Sequence, residues 1–199
     1  CTYRSRFQKI LRSGAKIPVP SSNAAYDTER ELLRLLLNYP PDTIIRLEEP
    51  DGSLTEVEFY AYLYQEIGEA PFVVPVLETI KQTLFDAYLQ AEPPPIHTLA
   101  TDYGPEVSRM VSELLTERHI LSENWEKKEM LVRPLDYDFT ASVRQALLHF
   151  QLKKISDLLH QNAQEMLACQ QSGAADDNLV MRLIKRKQKL EAMRREITT

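Results

Sequence analysis

A chain of 199 residues that is 43% hydrophobic and 27% charged can bury a real core, and it reads as one globular domain or one domain with an appendage. Only five glycines stand against a dense background of Leu, Glu, Lys, Arg, Gln and Ala, which lose little rotamer freedom in a helix, so the expectation is a mainly helical fold. No run approaches the roughly 18 apolar residues of a membrane span, and the first twenty residues hold no signal-peptide stretch, which predicts a soluble, cytoplasmic protein.

The two cysteines, Cys1 and Cys169, give neither a disulfide framework nor a zinc spacing. A start at Cys1 rather than Met reads as a piece of something longer, with a function borrowed from a parent protein. The net charge of −5 is unevenly spread. Residues 1–26 carry Arg4, Arg6, Lys9, Arg12 and Lys16 with no acid, a net +5. Residues 178–199 set seven bases against Glu191 and Glu196, again +5, which leaves −15 for residues 27–177. An acidic body lies between two basic ends.

Taken in order, residues 1–26 mix bases with Ser13-Gly14 and Pro18-Val19-Pro20, and read as a basic linker or arm. A first helix is predicted from Asp27 or Thr28, with Glu29 and Glu31 in its first turn, Leu32, Leu33, Leu35, Leu36 and Leu37 deeply buried, and a stop at Asn38 and Pro40-Pro41. Residues 43–47 are apolar and β-branched, Pro50-Asp51-Gly52-Ser53 is turn chemistry, and residues 54–57 alternate, so one short β-hairpin is expected near 43–57. Residues 58–67 place Phe59, Tyr60, Tyr62 and Tyr64 on a buried helix ended by Gly68. The next helix runs over 74–90 with Val76, Ile80, Leu84 and Ala87/Tyr88 at helical spacing, and Pro93-Pro94-Pro95 stops it. One turn at 97–101, a helix from Pro105 through Val107, Met110, Val111, Leu114 and Leu115, and a short helix over 122–130 complete a globular helical subdomain, 27–135.

Residues 136–199 change character. From 139 to 169 the positions Val143, Leu147, Phe150, Ile155, Leu158, Leu159, Asn162 and Met166 keep spacings mostly of 3 and 4, with no Gly or Pro, which makes a rod of roughly 46 Å. Gln170-Gln171-Ser172-Gly173 breaks it, and Asp176 or Asp177 caps a last helix carrying Leu179, Leu183, Leu190, Met193 and Ile197. The expected fold is therefore mainly α: a helical bundle subdomain followed by a long antiparallel helical hairpin.

Tests for chemistry give little. His97, His119, His149 and His160 share no metal-ligand spacing, and the glycines form no phosphate cradle. Asp136-Tyr137-Asp138 and Asp176-Asp177 are explained more simply as helix caps than as magnesium ligands. No Ser or Cys sits in a nucleophile motif, so no catalytic residue, metal or cofactor is assigned. What remains is interaction chemistry in the last helix. Arg182, Lys185, Arg186 and Lys189 share one face beside the stripe of Leu179, Leu183, Leu190 and Ile197, while Met181 and Ile184 lie off both. Spare apolar side chains ringed by bases suit an apolar groove with an acidic rim. Nucleic acid competes as partner through the basic ends, against the acidic body and a basic helix without aromatics.

The segments 27–38 (DTERELLRLLLN), 56–67 (EVEFYAYLYQEI) and 107–125 (VSRMVSELLTERHILSENW), followed by 139–196, resemble the C-terminal, helicase-binding domain of bacterial DNA primases, in the form of Bacteroidetes-like bacteria. The resemblance covers nearly everything after residue 26 and implies a helical subdomain and a helical hairpin that docks on the N-terminal domains of the hexameric replicative helicase. The parent would be the DNA-directed RNA polymerase that makes primers, with its zinc and magnesium sites elsewhere. The short hairpin departs from the all-helical form of that family. On this reading the contacts concentrate in the last helix, at Met181, Ile184, Arg186, Leu190, Met193 and Ile197. Two other readings stand beside it: the related N-terminal collar domain of a replicative helicase, and a helical nucleic-acid-binding domain.

Overall fold

The computed structural model describes residues 23–48, 52–116, 139–171 and 177–198. The chain is mainly helical with one small antiparallel sheet, as the sequence predicts. The elements are α1 (Asn23–Asn38), β1 (Ile44–Glu48), β2 (Leu54–Glu58), α2 (Phe59–Ile67), α3 (Pro75–Leu89), α4 (Ile96–Thr101), α5 (Pro105–Leu115), α6 (Phe139–Gln171) and α7 (Asp177–Thr198). The predicted helix over 122–130, the Asp136-Tyr137-Asp138 motif and residues 1–22 of the basic arm lie outside the described residues.

Two compact units emerge, 29–146 and a second one that includes 147–199. The boundary falls inside α6 rather than at the predicted 135/136. The reason is packing: the Phe139 ring lies 4.2 Å from Tyr39 and 5.1 Å from Phe59, and Val143 and Ala146 are buried, so the first two turns of α6 belong to the first core.

In the first unit the leucines of α1 do what their spacing demands. Leu32, Leu33 and Leu35 are fully buried and Leu36 and Leu37 nearly so, together with Phe59, Tyr60, Leu63 and Ile67 of α2 and Leu77, Ile80 and Leu84 of α3. On α3 the inner stripe is set at Leu77, not at the predicted Val76, which is half-buried. The aromatic residues of α2 pack on α3, with Tyr60 and Tyr64 at 6.3 and 5.4 Å from Phe85 in edge-to-face geometry. Asn38 Nδ2 donates to Leu114 O at 3.0 Å and Arg30 meets Glu113 at 3.2 Å, which ties α1 to α5.

The β-hairpin forms in the predicted place, with Ile45 opposite Val57 and Arg46 opposite Glu56. Gly52 in its turn has φ +81, a conformation that L side chains rarely adopt. Ile45 points inward and is fully buried, while Ile44, Arg46, Leu54 and Glu56 lie on the exposed face. Gly68 follows α2 as predicted, but for a different reason than a left-handed cap. Its φ is −54, and a Cβ there would stand 2.5 Å from the Tyr64 carbonyl oxygen.

The segment between α2 and α3 is held by side chains. Glu29, fully buried, accepts from the backbone N–H groups of Val73 (2.8 Å) and Val74 (3.3 Å). Glu78 Oε2 accepts from Phe72 N at 2.7 Å and pairs with the buried Lys81 Nζ at 2.9 Å, which also donates to Ala70 O and sits 4.7 Å from the Phe72 ring.

Replacing Glu29 by Ala strands the two N–H groups it serves, and is expected to cost about 2 to 4 kcal/mol in urea denaturation, whereas Glu29→Gln, which keeps an acceptor, costs less. A second outcome concerns alkali. Burial raises the Tyr60 phenol above its ordinary 10.0, and its hydroxyl donates to Leu36 O. A raised folded pKa means the stability is fully present below pH 10.0 and is lost as pH rises above it, at up to about 1.4 kcal/mol per pH unit. Tyr60→Phe should flatten that alkaline slope in denaturation midpoints measured from neutral pH upward; an unchanged slope would refute the assignment.

Candidate protein-docking surface

The second unit is built on an antiparallel pair, the later part of α6 against α7. Its small core joins Ile155 and Leu158 of α6 to Leu190 and Met193 of α7, with Leu159 and Ile197 packed on it. Two polar contacts fix the register. Asn162, 1% exposed, donates through Nδ2 to Leu183 O at 3.1 Å, and Arg186 meets Glu165 at 3.2 Å. The buried acceptor oxygens Asp157 Oδ2, Gln161 Oε1 and Asn162 Oδ1 find no hydrogen-bond donor among the described residues. A buried polar group in an otherwise apolar seam sacrifices stability and specifies one alignment.

The outer side of α7 is different. Met181 is 54% exposed and Ile184 36%, flanked by exposed Arg182 and Lys185, while Leu179, 37% exposed in the first turn, stands about 40 degrees from the buried Leu183. Leu167, near the end of α6, is 56% exposed. Exposed apolar side chains on a basic helix present an apolar surface with a cationic border.

The six predicted contacts therefore divide. Met181 and Ile184 are outward and available; Arg186 is half-buried in its pair with Glu165. Leu190, Met193 and Ile197 are withdrawn from the outer surface, because they hold α7 onto α6. Their 3 and 4 spacing marks an apolar stripe, but which stripe faces the neighbouring helix depends on where that helix lies. Leu179, placed by sequence on the inner stripe, is exposed, and Leu167 was not singled out at all. The signal for Leu167 exists, since it falls off the stripe of Leu158, Asn162 and Met166.

Among the described residues there is no group of three or more His, Cys, Asp or Glu that could hold a metal ion, and no helix long and apolar enough to cross a membrane. His97 lies on α4 and His149 and His160 on α6, where His160 Nε2 is 3.0 Å from Gln164 Nε2; His119 and Asp176 lie outside the described residues.

These features define a mainly helical protein that carries an apolar and basic surface on a terminal helical hairpin. The chain belongs to the family described as Domain of unknown function (DUF8430), whose model matches residues 18–199. No curated protein and no solved structure matches the chain.

Asn162→Leu should raise the stability of the hairpin, since it removes a buried oxygen that has no donor, yet loosen its alignment. Spin labels at one site on each helix would measure this: a broader distance distribution with an unchanged or higher denaturation midpoint is expected, and an equally narrow distribution would show that Asn162 sets no register.

Proposed function

We propose that this chain is the non-catalytic docking module of a cytoplasmic bacterial DNA primase, which attaches the primer-making enzyme to the hexameric replicative helicase during DNA replication. The observation that carries the reading is the outer side of α7. Its inner apolar residues close the hairpin, whereas Met181 and Ile184 remain exposed beside Arg182 and Lys185. Such a helix lays its apolar anchors into a groove, and the bases select a groove with an acidic rim. The order of segments that resembles the primase C-terminal domain supplies the identity of the partner.

The test is a titration of the intact chain against the N-terminal domains of the same organism's replicative helicase. Binding is expected in the wild type, and the pair Met181→Glu and Ile184→Glu should weaken it by roughly a hundredfold at unchanged helicity. Point changes suit the test better than a cut at residue 135, because Phe139 and Val143 belong to the first core. If the helicase domains are ignored while single-stranded DNA binds with a steep salt dependence, the nucleic-acid reading replaces this one.

A further inference from the structure

A second surface complements the outer side of α7, and it lies on the other unit. The exposed face of the β-hairpin carries Glu48, Glu56 and Glu58 against Arg46, a net −2 among the described residues. Residues 177–198 carry seven bases against Asp177, Glu191 and Glu196, a net +4. Each surface also exposes apolar side chains: Ile44 at 50% and Leu54 at 66% on the outer face of the β-hairpin, Met181 at 54% and Ile184 at 36% on α7. Ile44 and Leu54 share that face with Arg46, Glu48, Glu56 and Glu58, because the register pairs Ile44 with Glu58 and Glu48 with Leu54. The one cation there is neutralised within the face, Arg46 meeting Glu56 at 3.0 Å. Among the described residues, Glu48 on one surface and Lys185 and Lys189 on the other have no opposite charge within ion-pair distance.

We propose that the exposed face of the β1-β2 hairpin is a docking surface for α7 of a second copy of this chain. Two features select that occupant. A basic helix with a narrow apolar stripe matches an acidic face with apolar corners in both charge and hydrophobicity. Pairing of two β-hairpins face to face is disfavoured, because it would bring like carboxylates together. The contact is heterologous, one copy's helix on the other's sheet, so it uses a different patch on each molecule. The same helix carries the proposed helicase contacts, so the associated form covers them. The β-hairpin surface itself plays no part in the helicase reading and does not depend on it.

The test is sedimentation equilibrium of the full chain over a wide concentration range, at low and at high salt. The expected result is a mass that rises above the 23.0 kDa monomer with concentration at low salt and returns to it at high salt. Arg182→Glu with Lys185→Glu, and separately Glu48→Lys with Glu56→Lys, should each weaken association by at least about tenfold, with helicity by circular dichroism unchanged. Mixing the two variants restores complementary charge and should restore association. A monomer under all conditions overturns the proposal, and so does association that neither variant weakens. Failure of helicase binding with association intact would sink the helicase reading alone.

Discussion

The fold of the first unit turns on a carboxylate that has left the solvent. Glu29 lies fully buried on α1 and accepts the backbone N–H groups of Val73 and Val74, which have no strand or helix partner at the entry to α3. A buried charge is tolerated only where hydrogen bonds replace its water. Beside it, Lys81 is 1% exposed and is satisfied by Glu78, the Ala70 carbonyl and the face of Phe72. Three successive N–H groups, of Phe72, Val73 and Val74, thus find carboxylates rather than a ladder. Glu29, Leu32, Leu33 and Leu36 lie at spacings of 3 and 4, so the residue that grips the segment also orients the leucine stripe of α1 toward the core.

That network explains where sequence reading succeeds and where it stops. The leucine block of α1, the proline at the start of α5 and the Gly52 turn are local signals, and the structure follows them. Glu29 reads from sequence as a first-turn charge that favours the helix dipole. Its actual partners stand 44 and 45 residues away, and nothing local announces them. The same holds for Lys81, a cation on an amphipathic helix that ordinarily marks the solvated side. Gly68 is legible as a boundary but not as a close approach to the Tyr64 carbonyl, which depends on the path the backbone takes out of α2.

α6 shows a different kind of limit. Its apolar positions recur at mostly helical spacing, which makes the helix legible, yet they do not all serve one core. Phe139 and Val143 pack in the first unit, while Ile155 and Leu158 meet α7. The step of five residues from Phe150 to Ile155 turns the apolar stripe by about 140 degrees near the handover, though nothing local says which core either part joins.

On α7 the pattern is decisive in another way. At 100 degrees per residue, Ile184 points about 100 degrees from Leu183, and Met181 about 160 degrees. Leu183, Leu190 and Met193 are buried, so α7 is already rotated to the setting that closes the hairpin. Turning it to cover Met181 and Ile184 would expose Leu190 and Met193 and forfeit the contacts that hold the pair together. No rotation about its own axis buries both stripes against one neighbouring helix. The outer apolar side chains are consequently not a packing error that a small adjustment repairs; their burial requires a second surface, and the bases around them set the sign of charge that this surface must carry.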